Sequence, residues 1–75
     1  MSATAQAPPS ASLTPREREV VTLLADGLTV KKAAERLMTS PKTVDAQKTT
    51  AMKKLGIHNR AQLTLWAVRN GLVKA

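Results

Sequence analysis

The stretch TVKKAAERLMTSPKTVDAQKTTAMKKLG, residues 29–56, decides the fold. Val30, Ala33, Ala34, Leu37 and Met38 recur at i, i+3, i+4, i+7 and i+8. They form one apolar stripe of a short helix, with Lys31, Lys32, Glu35 and Arg36 outside it. Ser40-Pro41 then places a capping hydroxyl before a proline only two residues past Met38, so the next helix begins almost at once and runs to a stop at Gly56. Residues 41–55 span roughly 22 Å at a rise of about 1.5 Å per residue. Only Val44, Ala51, Met52 and Leu55 are apolar candidates for the core, so most of this helix faces outward. A short helix, a turn of about two to four residues and a long, basic, uncommitted helix make the outline of a helix-turn-helix.

Working outward, Thr14-Pro15-Arg16-Glu17 combines a cap, a proline at the first helical position and a glutamate three residues after the cap. It predicts a first helix over about 15–26 with Val20, Val21, Leu23 and Leu24 inside and Gly27 as its stop. The helix-turn-helix pair is predicted over 30–38 and 41–55. Asn59 caps a fourth helix over 59–70, closed by Gly71. No segment alternates like a strand, so the domain, residues 13–75, is expected to be all-α, a bundle-like arrangement of four helices. Residues 1–12 carry no charge and a Pro8-Pro9 pair, the composition of a disordered tail or linker.

The chain has 75 residues, room for one small domain, and twelve Lys and Arg against five Asp and Glu give it a net charge of +7. Residues 29–56 hold seven cations (Lys31, Lys32, Arg36, Lys42, Lys48, Lys53, Lys54) against Glu35 and Asp45, whereas residues 1–28 net −1. The positive field therefore sits on the helix-turn-helix, where neutralising phosphates would need it. Trp66 is the sole aromatic residue, which excludes the stacking platforms that grip single strands and leaves the duplex as the expected partner. With no cysteine there is no disulfide or thiolate chemistry. Apolar runs of about four residues are too short to cross a bilayer, and no charged-then-apolar leader opens the chain, so a soluble, cytoplasmic protein is expected.

On the long helix, Lys42, Asp45, Ala46, Thr49 and Lys53 share one face at i, i+3, i+4, i+7 and i+11. Placed in a major groove, Asp45 accepts from cytosine, Ala46 meets a thymine methyl and Thr49 bonds base edges. Lys31, Lys32, Lys42, Thr43, Gln47, Lys48 and Lys53 are assigned to phosphates, which fix register without reading sequence. The plainer reading makes these charges the solvated face of a small helical domain. The caps, the short turn and the segregated charge favour the duplex reader.

Several segments also resemble the LuxR-type DNA-binding domain, also called the NarL/FixJ or GerE type. They are Leu13-Thr14-Pro15-Arg16-Glu17-Arg18-Glu19-Val20, Ala25-Asp26-Gly27-Leu28-Thr29, Lys42-Thr43-Val44-Asp45, Met52-Lys53-Lys54-Leu55-Gly56-Ile57 and Asn59-Arg60-Ala61-Gln62-Leu63. The resemblance is collinear from Leu13 to about Val73. It implies a four-helix domain, the output part of a response regulator or a related transcriptional regulator, whose third helix enters the major groove and whose fourth contacts a second copy. It also places Asp45, Ala46 and Thr49 at the bases. The chain departs from the family's frequent His-Arg at Gln47-Lys48 and from its frequent acidic residue at Lys32. The first departure bears on target sequence more than on binding.

The fourth helix has two apolar sides, one of Ala61, Leu65, Val68 and Leu72, the other of Leu63, Trp66 and Ala67. With one side buried in the monomer, Leu63, Trp66 and Ala67 are expected to form a two-fold interface, unless the first helix and the chain end wrap both sides. An enzyme is not expected, since one histidine, no cysteine and five scattered acids supply no nucleophile beside a base. His58 reads as a cap or helix-dipole residue rather than a ligand, and neither metal, cofactor nor small-molecule ligand is expected. The expected partners are double-stranded DNA, a second copy of the chain and RNA polymerase, which a bound regulator recruits or blocks. Two alternatives are a sigma-factor-like promoter-recognition module, which shares the Leu-Thr-Pro-Arg-Glu opening, and a protein-interaction adaptor without DNA binding. A receiver or ligand-sensing domain does not fit in residues 1–12, so the sequence is read as a fragment of a longer regulator or a stand-alone one.

Overall fold

A computed structural model describes residues 13–74, so the expected tail over 1–12 lies outside the described residues. Four helices follow in order: α1 (Pro15–Ala25), α2 (Val30–Leu37), α3 (Pro41–Leu55) and α4 (Arg60–Arg69). Among the described residues there is no strand, and no helix is long and apolar enough to cross a membrane.

Each helix starts on a side chain that the sequence supplies locally. Thr14, Thr29, Ser40 and Asn59 are extended cap residues whose side-chain oxygens accept from the backbone N–H groups of Glu17, Lys32, Thr43 and Gln62. At α1 the bonding is reciprocal, because the Thr14 N–H also donates to Glu17 Oε1 at 3.0 Å. The ends are equally local. At α3, Gly56 adopts φ 68 and the Ile57 N–H donates back to the Met52 carbonyl at 2.9 Å, a turn that satisfies a terminal carbonyl and brings the chain back along the helix. Asp26, Met38, Asn59 and Asn70 are caps rather than helical residues, so α1, α2 and α4 are slightly shorter than their expected spans.

The core comprises Leu13, Val20, Val21, Leu24, Ala33, Ala34, Val44, Ala51 and Leu63. Leu23, Val30, Leu37, Met52, Leu55, Ile57, Trp66 and Leu72 pack half-buried around it. α1 lies at the centre, packing on α2, α3 and α4, and α2 packs on α3. Alanines at positions 33, 34 and 51 let the helices of the motif approach closely, which is how a chain without Phe or Tyr closes a core.

Two polar ties reinforce the packing. Lys54 of α3 donates to Glu17 Oε1 of α1 at 2.8 Å across a site where the glutamate side chain is 10% exposed. Arg60 at the start of α4 donates from Nε (3.2 Å) and Nη2 (2.7 Å) to the Leu24 carbonyl, and from Nη2 to the Leu28 carbonyl. It thereby satisfies a carbonyl at the end of α1 and one in the turn that follows it.

Two expectations are corrected. Met38 does not join the buried stripe of α2. It sits in the left-handed region at φ 58 and is 93% exposed, because the helix ends at Leu37 and the Thr39 N–H turns back onto the Ala34 carbonyl at 2.9 Å. The left-handed step swings the Met38 side chain off the apolar face. On α4, Leu63 and Ala67 are 0% exposed and belong to the monomer's own interior, so they have no surface to offer a second copy. Trp66 packs half-buried against the same core. The other side of α4 is the outer one, with Ala61 exposed and Leu65 50% exposed. α1 crosses α4 on the side of Leu63, and only one of two similar apolar stripes can face it.

Candidate nucleic-acid interface

Val44 and Ala51 turn inward from α3 and are 0% exposed, which rotates the opposite side of the helix to solvent. Lys42, Asp45, Ala46, Thr49 and Lys53 are all exposed there, so the strip chosen from helical spacing is a real surface of the fold. Ala46 keeps its centre low. That leaves the helix axis free to approach a concave partner.

The charges along this strip are not all idle. Lys48 Nζ lies 3.2 Å from Asp45 Oδ1, with the aspartate side chain 60% exposed. With Lys48 half-buried and Asp45 exposed, a pair one helical turn apart is worth about 1 kcal/mol or less, so it is readily exchanged for an external partner.

At the helix start, Ser40 Oγ accepts from the Thr43 N–H at 3.1 Å and lies 2.9 Å from Thr43 Oγ1. Lys42 and Thr43 stand exposed beside the positive end of the α3 dipole. On α2, Lys31 and Lys32 occupy the first turn, also exposed, and Lys32 reaches Glu35 at only 3.9 Å. Cations are poorly placed at a helix N-terminus unless an external anion joins them. The arrangement of α2 and α3 therefore presents donors and positive charge without a carboxylate in either first turn.

Gln47 is half-buried, and its Oε1 is enclosed without a hydrogen-bond partner among the described residues. Its amide nitrogen is what remains to be offered outward, and a phosphate accepts from such a donor. Helical spacing alone carries no sign of this half-buried setting, since burial of position 47 depends on how α3 leans on its neighbours.

An open groove of about 480 Å³ continues from the strip at the far end of α3, lined by Lys48, Thr49, Met52, Lys53, Gly56, Ile57 and His58. His58, expected to act as a cap or dipole residue, is exposed, and its backbone N–H donates to Gln62 Oε1 at 2.8 Å. Arg60 was likewise missed as the lock on the end of α1. A cation at the first position of a helix opposes the dipole, and that misfit was the one signal in the sequence that its charge is used elsewhere.

Four helices in this order, a two-helix motif carried on a central first helix, and an exposed basic strip define a helix-turn-helix domain of the bacterial regulator kind. Residues 11–67 match the family described as "Bacterial regulatory proteins, luxR family", and the chain belongs to that family. It is similar to a Mycobacterium tuberculosis protein provisionally described as an HTH-type transcriptional regulator, 48% identical over 60 residues that cover 80% of this chain and 7% of that protein. Response regulator UvrY of Escherichia coli is 39% identical over 67 residues, covering 89% of this chain and 31% of UvrY. Transcriptional regulatory protein LiaR of Bacillus subtilis is 42% identical over 65 residues, 87% of this chain and 31% of LiaR. The chain thus spans less than a third of the length of each of these relatives.

Proposed function

We propose that this domain binds double-stranded DNA in a sequence-dependent way as the output part of a cytoplasmic transcriptional regulator, with α3 in the major groove. The observation that carries the reading is the exposed, basic strip of α3 set on a core that takes only Val44 and Ala51 from that helix. Asp45, Ala46 and Thr49 face the bases. Lys31, Lys32, Lys42, Thr43, Gln47, Lys48 and Lys53 hold phosphates on either side.

On DNA the domain pairs with a second copy through α4. With Leu63 and Ala67 taken into the core, the contact falls to the outer side, Ala61 and Leu65, flanked by half-buried Val68. Two half-sites would then be arranged about the same two-fold axis. A regulator so placed recruits or blocks RNA polymerase. Membership of the luxR family supports this reading over a sigma-factor-like module.

Selection from a pool of random duplexes, followed by affinity measurements across salt concentrations, is the test. Neutralising about four phosphates per protomer gives a log-log slope near −3.6. Lys48→Ala is expected to weaken binding to all duplexes alike and reduce the slope by about 0.9, whereas Asp45→Ala or Thr49→Ala changes base preference by about 1–3 kcal/mol at one position. If a folded domain bound no duplex at low salt, the adaptor reading would replace this one. Unchanged preference in both substituted proteins would move the groove face elsewhere. Leu65→Glu is expected to abolish cooperative occupation of paired half-sites and leave binding to a single half-site intact.

A further inference from the structure

The chain holds a single histidine, and the fold places it on the same groove as two lysines of α3. The left-handed turn at Gly56 reverses the chain, the Ile57 N–H ties back to Met52, and His58 comes to line the groove beside Lys48, Thr49 and Lys53. Its backbone is held there by Gln62 Oε1 on α4. The floor is apolar, from Met52 and Ile57, and the groove runs on from the strip assigned to DNA.

We propose that His58 is a phosphate contact of the bound duplex in its protonated form, so that DNA binding takes up a proton. This rests on the duplex-binding reading above and adds a further binding residue to that surface.

The charges around the groove favour an anion there. From α3 they are Lys48 and Lys53, both cationic. The nearest carboxylate on that helix, Asp45, is paired with Lys48. Lys54 is turned to Glu17 of α1, and Arg60 of α4 is turned to the carbonyls of Leu24 and Leu28. Among the described residues, no carboxylate lines the groove. A DNA phosphate between Lys48, Lys53 and His58 would meet two ammonium groups and one ring, with Lys48 exchanging its pair with Asp45 for the phosphate. Histidine is the side-chain type that changes charge between about pH 5 and 8. Its imidazolium donates to a phosphate from a positive centre, which the neutral ring does not. The protonated protein therefore binds more tightly, and affinity falls as pH rises.

The test compares the whole 75-residue chain with His58→Gln and His58→Lys, binding one selected duplex at pH 6 and pH 8 across a salt series. The wild-type slope is expected to be steeper at pH 6 than at pH 8 by up to about 0.9, one phosphate's worth of counterion release. His58→Gln should show the shallow slope at both values and His58→Lys the steep slope at both. A wild-type slope that ignores pH, or a pH response that survives in His58→Gln, overturns the proposal. A pH response confined to thermal stability, with the slope unmoved, assigns His58 to the α3 dipole and overturns it too. Failure of every folded protein to bind duplex at either pH instead removes the duplex-binding reading itself.

Discussion

α1 and α3 divide the work of the domain unequally. The shorter helix, of 11 residues, buries Glu17, Val20, Val21, Leu24 and Ala25, while the 15-residue α3 buries only Val44 and Ala51. α1 is thus the scaffold on which the other three helices lean. α3 is held by two small side chains, a fringe of half-buried Met52 and Leu55, and one ion pair, which leaves most of its circumference for a partner. Every side chain that a helix spends on the core is lost to its outer surface, so a helix anchored by few residues keeps the most surface free.

Damage to the scaffold should cost the most stability. Leu24→Ala removes one of the biggest wholly buried side chains and should cost about 3 kcal/mol in urea or thermal unfolding, and duplex binding would be lost only as far as folding is. A cost under about 1 kcal/mol would show that α1 is not the centre of the core.

Next comes the tie between the two helices. The Lys54 ammonium, then the Thr14 N–H, hold the Glu17 carboxyl below its ordinary value of 4.5, against the opposite pull of burial. A lowered folded-state value means that this stabilisation is present in full above the ordinary carboxylate range and is lost as pH falls through the lowered value. Lys54→Ala should therefore destabilise by about 1–2 kcal/mol at pH 7. The difference between wild type and the substituted protein should shrink on acidification. A constant difference from pH 7 down to pH 3 would mean that Lys54 acts through packing instead.

A smaller change in stability is expected at the corner that joins α2 to α3. α3 ends on glycine at φ 68, whereas α2 ends on Met38 at φ 58 with its side chain 93% exposed. Met38→Gly relieves the left-handed strain without vacating any core space, and a gain of about 0.5–1 kcal/mol is expected. Loss of stability on this change would show that the exposed side chain does more than terminate the helix.

Much of the fold was legible in the residues because the signals are short-range. Thr14-Pro15 and Ser40-Pro41 start helices through bonds made within three residues, and Gly56 stops one through a bond made within five. The face of α3 was legible too, because Val44 and Ala51 are its only fully buried positions and the exposed strip lies opposite them. Met38 was misplaced because periodicity counts a residue that the left-handed turn removes from the helix. Gln47 and His58 were out of reach. Their settings depend on how α3 leans and on where the turn at Gly56 delivers the chain.

From the local sequence follow the four helices of the described residues, their limits to within a residue or so, the helix-turn-helix and the exposed strip of α3, since caps, prolines and helical spacing act within a few residues of themselves. The tertiary structure alone decided which side of α4 is interior. Leu63 and Ala67, and Ala61 and Leu65, are equivalent as local patterns, and only the approach of α1 separates them. It also decided that Arg60 closes the end of α1 and that Lys54 is spent on Glu17, contacts between residues 36 and 37 positions apart, which no local rule anticipates.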